Sequence, residues 1–263
     1  MQVSLKQKAL FRLRWFSNPE WWEQLRFGGQ DLPNLDQLNL LDSYQTIERL
    51  LAEERSLIRW GSGESAHYFG GQNPTHAFRP GLQICLHSIL ANHHAQGHKW
   101  LFAIPTPYLK STKSSFRSLP RGKRRLWKSS RYIFAKYCSP RYDYGNAFCF
   151  RPEGGLSVDF IGQLWDRRPI IVASHSEAYF NRLMDETRPH SGVFIKLPPI
   201  NAFDHISNVL ADIYNAVSLI RNTNRIRILV AAGPAAKPIV KELSRHGLVA
   251  YDIGNFFQQR LLR

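Results

Sequence analysis

Short apolar runs alternate along this chain with longer stretches in which apolar residues return every third or fourth position. The runs at 57–60, 99–104, 147–150, 169–173, 193–197, 226–232 and 248–253 are too short for helices and predict strands. Helical spacing marks 79–94, 156–165, 176–186, 206–221 and 234–246. It also marks the segment that Asp42-Ser43 caps, which runs to about residue 54 with Ile47, Leu50 and Leu51 on one face. Strands alternating with helices predict an α/β fold, a Rossmann-like, doubly wound, mostly parallel sheet with right-handed crossovers. The main domain is expected over 56–263, behind an N-terminal helical extension over 1–55. Residues 3–22 of that extension read as a basic amphipathic helix, suited to packing on the core or to lying on a membrane surface.

Several predicted strands stop at small or polar residues, and these ends are where an α/β sheet places its ligands. The first strand breaks at Arg59-Trp60-Gly61-Ser62-Gly63-Glu64 and leads into an aromatic, glycine-rich loop at 68–74. Others end at Ser174-His175-Ser176, at Asn201-Ala202-Phe203-Asp204, at Gly233-Pro234-Ala235-Ala236 and at Asp252-Ile253-Gly254-Asn255. Glycine lets backbone approach a ligand closely, and a proline-led helix start turns its free amides toward an anion. A diphosphate suits such an edge. Glu64, His175 and Asp252 are the candidate bases, with Glu64 preferred.

Charge adds a second feature. The formal charge is +15, and no acidic residue occurs between Glu64 and Asp143, where thirteen lysines and arginines fall. The insertion at about 108–142 mixes these with Trp127, Tyr132, Phe134 and Tyr137, a pattern that suits sugar rings, bases or phosphates. Lys123, Arg124, Arg125, Lys128 and Arg131 are the candidate contacts to an acidic acceptor or other anion. Cys85, Cys138 and Cys149 show no CxxC spacing and read as small buried residues of a reducing compartment. No apolar run approaches the roughly 20 residues of a membrane span, so a cytoplasmic protein is expected, peripheral at most to the inner face of the membrane. His87, His93, His94 and His98 straddle a predicted helix end without carboxylate or cysteine partners, which does not favour a metal cluster.

The motifs, taken in order, resemble those of the GT-D-type glycosyltransferases, a bacterial family first catalogued as a domain of unknown function. That family's pattern has arginine-aromatic-Gly-Asp-Gly-Glu, then proline followed by Asn-Ala-aromatic, then Gly-Pro-Thr-Ala, then Asp-Ile-Gly-His. This chain reads Arg59-Trp60-Gly61-Ser62-Gly63-Glu64, Pro199-Ile200-Asn201-Ala202-Phe203, Gly233-Pro234-Ala235-Ala236 and Asp252-Ile253-Gly254-Asn255. The resemblance runs from about residue 57 to the end and is thin across the basic insertion. It implies transfer of a sugar from a nucleotide-diphosphate-sugar donor, most simply a UDP-sugar, to an acceptor glycan or glycoprotein in surface polysaccharide synthesis. The acceptor would be acidic or lipid-linked.

On the same resemblance, Arg59, Gly61, Ser62, Gly63, Ser174, Ser176, Asn201, Gly233, Pro234, Ala235 and Asn255 would line the donor site. Glu64 would help to hold a divalent metal, Mn or Mg. Ser62 stands where the family's pattern has aspartate, and one carboxylate beside a hydroxyl is a poor site for a hard dication. Arginines and lysines of the insertion would then offset the departing diphosphate instead. Two rival readings follow: a catalytically silent glycosyltransferase-like binding protein, and a nucleic-acid-binding protein that uses 110–141.

Overall fold

The computed structural model describes residues 22–23, 32–96, 98–109, 121–187, 189–220 and 225–256. The helix expected at 3–22 lies almost wholly outside them, as do residues 110–120 of the basic insertion. The elements in chain order are β1 (Asn39–Leu40), α1 (Ser43–Glu53), β2 (Ser56–Arg59), α2 (Ser62–Tyr68), α3 (Pro80–Asn92), β3 (Trp100–Ile104), α4 (Arg121–Tyr137) and β4 (Asp143–Asn146). Then come α5 (Val158–Gly162), β5 (Pro169–Ser174), α6 (Glu177–Thr187), β6 (Ser191–Lys196), α7 (Ile206–Ser218), β7 (Arg227–Val230), α8 (Ala236–Arg245) and β8 (Val249–Asp252).

All eight strands pair in parallel in the order β1-β4-β3-β2-β8-β7-β5-β6. Side chains alternate across a parallel sheet, so neighbours in sequence serve opposite cores. Ile58, Phe102, Ile228 and Ala250 pack with α3, α4, α7 and α8 on one face. Leu57, Leu101, Leu229 and Tyr251 pack with α1, α5 and α6 on the other. This is the expected doubly wound sheet. The order turns at β2 and β8, which are neighbours although one opens the sheet's central half and the other closes the chain's. A crevice forms outside the carboxyl ends at such a reversal.

Three local expectations change. Residues 147–150 form a turn rather than a strand, and the strand precedes them as Asp143–Asn146. Asn146 closes that turn, its carbonyl accepting from Cys149 N and its Oδ1 from Phe148 N. Its neighbour Gly145 is packed so closely that a Cβ would lie 3.0 Å from Leu101 Cδ2. The helix expected at 156–165 is only Val158–Gly162, capped by the Ser157 hydroxyl. Finally, the residues after Gly61 coil at once into α2, where the sequence showed only a glycine turn and a loop.

Candidate functional site

At the β2 end Gly61 is the N-cap of α2, and its N–H donates to Glu64 Oε2 at 2.8 Å, so the helix's own acid turns back on its start. A Cβ on residue 61 would lie 3.1 Å from that oxygen, so glycine leaves Glu64 room to fold inward. The other oxygen, Oε1, meets Lys237 Nζ at 2.5 Å. Lys237 comes from the first turn of α8 and reaches back between two strand ends, 3.0 Å from Asp252 Oδ2 and donating to the Gly233 carbonyl at 3.2 Å. Both Glu64 and Lys237 are buried, and Asp252 is fully so.

Arg59 completes a buried quartet. Its Nε donates to the Asp252 carbonyl at 2.5 Å, its Nη1 to the Ala147 carbonyl at 2.8 Å, and its Nη2 lies 3.6 Å from Asp252 Oδ1. Gly254 holds a φ of +51°, and a Cβ there would sit 1.9 Å from Arg59 Nη2, so this position needs glycine on two counts. Burial opposes ionisation of Glu64, yet the Lys237 ammonium and the Gly61 N–H outweigh it and hold the carboxyl below its ordinary value. Burial likewise opposes the charge on Lys237, and Asp252 with Glu64 overcomes it and raises the ammonium. Two cations thus face two carboxylates, and the quartet is neutral as a unit.

Above it opens a cleft of about 590 Å³. Arg59, Gly61, Ser62, Gly63, Glu64, Gly233, Pro234 and Asn255 all reach it, which brings most of the sequence-predicted donor residues to one place. A second cavity of about 210 Å³ shares Thr75, Gly233, Gly254 and Asn255 with the first and adds Ser174 and His175. Trp127, Phe148 and Arg151 also line the cleft, and none of them is singled out by the strand-end pattern. Trp127 of α4 stacks on Tyr108 with centroids 4.4 Å apart, and the Arg151 guanidinium lies 4.7 Å over the Phe148 ring.

Other predicted residues serve the frame. Asn201, at φ +55°, donates its N–H to the Thr75 carbonyl, and its Oδ1 accepts from Ala77 N, so it supports the loop that carries Thr75. Ala235 is fully buried, and Ser176 N donates to Ser174 Oγ at 3.4 Å. Asp252 lies beneath the cleft with Lys237, Arg59 and Gly254 N on its oxygens, which leaves it no face toward an acceptor hydroxyl. Of the basic residues, Arg131 is buried, Arg124 and Lys128 are half-buried, and the side chains of Lys123 and Arg125 lie outside the description. Tyr132 and Phe134 are buried too, so these two aromatics of α4 face the core.

Lys237 is the residue that sequence reasoning missed. Its signal was a charge on the buried face of a helix, between Ala236 and Pro238, three positions after Pro234. A lysine there needs partners, and the carboxylates at the neighbouring strand ends are the ones within reach.

The donor set bears on a metal. Each oxygen of Glu64 is engaged, Asp252 is shared between Lys237 and Arg59, and a hydroxyl stands at Ser62. Among the described residues no group of three or more His, Cys, Asp or Glu side chains could hold an ion. A dication about 4 Å from the Lys237 ammonium would meet a repulsion of about 8 kcal/mol at an effective dielectric of about 20. These residues do not fit a divalent metal.

Residues 57–259 match the family profile described as glycosyltransferase GT-D fold. No curated relative matches the chain. Solved structures do. A domain of unknown function 1792, described as having a distinct glycosyltransferase fold, superposes with a TM-score of 0.69 at 21% identity, over 87% of this chain and 82% of its own. A new glycosyltransferase of that kind from Streptococcus sanguinis gives a TM-score of 0.67 at 23% identity, over 84% and 83%. At such identities the likeness is one of fold. The profile match spans well over half the sequence, and the chain therefore belongs to the glycosyltransferase GT-D fold family.

Proposed function

We propose that the cleft at the ends of β2, β7 and β8 binds a nucleotide-diphosphate sugar, most simply a UDP-sugar, and that the protein transfers the sugar to a glycan or glycoprotein acceptor. The observation that carries this reading is the placement of Gly61, Ser62, Gly63, Gly233 and Asn255 around one cleft at the sheet's reversal point. Their bare backbone and hydroxyl suit a diphosphate, and Trp127 with Phe148 offers apolar faces to a sugar ring. The transferred sugar would be a hexose, and an acidic or lipid-linked glycan acceptor, made for a surface polysaccharide, would approach from the side of basic α4. Contact with an anionic membrane would come from the same side. The burial of Tyr132 and Phe134 weakens the nucleic-acid reading, because buried rings do not stack on bases.

In this reading Glu64 stays ionised and holds Lys237, so it orients the donor floor rather than moving protons. His175, exposed at the second cavity, is the group placed to take the proton from an acceptor hydroxyl. Incubation with UDP-sugars and glycan acceptors should release UDP. His175→Ala should slow that release at least tenfold with KM for the donor unchanged. An unchanged rate in that variant removes His175 from the mechanism, and no release with any sugar nucleotide favours a silent, ligand-binding member of the family.

A further inference from the structure

We propose that Lys237 is the resident cation of this cleft, holding the place a divalent metal would need, so that the site neither requires nor binds one. The Nζ lies 2.5 Å from Glu64 Oε1 and 3.0 Å from Asp252 Oδ2, and it donates to the Gly233 carbonyl at 3.2 Å. Those three acceptors lie in the first turn of α2 after β2, at the end of β8 and in the turn after β7, so a single ammonium ties together the segments that form the floor. A bridging ion would make the same three connections, and the ammonium makes them with its own three N–H donors.

The surroundings are built for this lysine. Gly61 N–H occupies the remaining oxygen of Glu64, and Arg59 and Gly254 N the remaining oxygen of Asp252, so every oxygen of both carboxylates already faces a protein donor that an ion would have to displace or share. Gly233 takes a φ of +56° as it turns its carbonyl toward Lys237. Ser62, at the mouth of the cleft, adds a hydroxyl where a further carboxylate would be needed to outcompete the ammonium. Because all three N–H groups are spent, Lys237 is a positioning residue: it fixes Gly233 and Glu64 under the donor rather than touching the diphosphate.

The proposal rests on the donor-cleft reading for its consequence and can be tested apart from it. Electron paramagnetic resonance on the full chain titrated with Mn(II) should show a free-ion signal equal to that of the protein-free control, with UDP and without it. Lys237→Ala frees two carboxylates and should bind one Mn(II) at least tenfold more tightly than the parent. Stoichiometric Mn(II) binding by the parent chain overturns the proposal, as does a folded Lys237→Ala chain that gains none. Should that variant fail to fold, the parent decides alone through its melting temperature with UDP. Equal shifts in EDTA and in Mn(II) support a metal-free site, and a shift that EDTA abolishes overturns it. Absence of any UDP shift together with an undiminished Mn(II) signal would count against the donor reading and leave Lys237 as the excluding cation.

Discussion

Gly254 shows how one missing methyl group can decide the site. Its left-handed backbone costs a side-chain-bearing residue about 1–3 kcal/mol, and a Cβ would collide with Arg59, which itself joins β2, β8 and the 147–150 turn. Gly254→Ala should therefore lower unfolding stability in urea titration by more than the about 1–3 kcal/mol expected for Gly155→Ala, an exposed turn where a Cβ would meet open space. Since Gly155 also has a positive φ, any loss there measures strain without collision, and the difference between the two isolates the clash.

The buried histidines set a pH response at the same scale. Burial, with lesser help from His67 and Lys237, depresses His76 from its ordinary value of 6.5 to about 4, against the pull of Glu64 and Asp204. Burial and the neighbouring His94 do the same to His93, opposed by its bond to the Leu90 carbonyl. A group whose folded value is depressed is protonated first in the unfolded chain, so stability falls as pH drops from 6.5 toward 4. Each histidine should cost on the order of 2 kcal/mol between pH 7 and pH 5. The urea midpoint should be lower at pH 5, and His93→Phe should flatten the slope. A midpoint constant across that range would contradict the burial of both rings. Glu64 acts in a separate window, because a carboxyl held below its ordinary value gives up its contribution only as pH falls below about 4.5.

At the scale of elements, α2 and α4 form the unit the cleft depends on. Trp60 Nε1 donates to Ser65 Oγ at 3.0 Å, and Ser65 Oγ lies 2.7 Å from Ser130 Oγ, so the glycine turn, its short helix and the basic helix are joined by one chain of hydrogen bonds. Trp127 stands one turn before Ser130 and lines the same cleft as Ser62. Trp127→Ala should leave the β-sheet and its melting cooperativity intact while weakening UDP-sugar binding at least fivefold in calorimetry. An unchanged affinity would place the sugar elsewhere.

The alternation of runs made every strand visible in the sequence except the two-residue β1 and the polar β4, and placed most within a few positions. β4 was displaced onto 147–150 because Asp143-Tyr144-Gly145-Asn146 is polar by composition and is buried by its neighbours rather than by its own hydrophobicity. The strand ends were legible because glycine and proline mark turns irrespective of tertiary context. Lys237 was not, since a lysine within a helix usually points to solvent. Only the meeting of β2, β7 and β8, elements far apart in sequence, reveals its partners. The same limit applies to Trp127, Phe148 and Arg151, whose convergence is set by how α4 and the 147–150 turn pack.

At the scale of the whole molecule, the sheet order draws the ends of β2 and of the last strand, β8, to one crevice. β2 lies beside β8, so Gly61 and Asp252 come together although nearly two hundred residues separate them, and two apolar cores hold the strands from opposite faces. Among the described residues no helix is long and apolar enough to cross a membrane. Much of the positive charge falls in the acid-free stretch that includes α4, and an anionic acceptor would gain from a long-range attraction that salt screens. The central claim is that the cleft over the Arg59–Asp252–Lys237–Glu64 quartet is the donor site. Titration calorimetry of UDP against the parent chain and Ser62→Trp, whose indole fills the cleft mouth, tests it most directly. Binding by the parent, lost in a folded Ser62→Trp chain, is the predicted result; equal binding by both, or none by the parent, would contradict it.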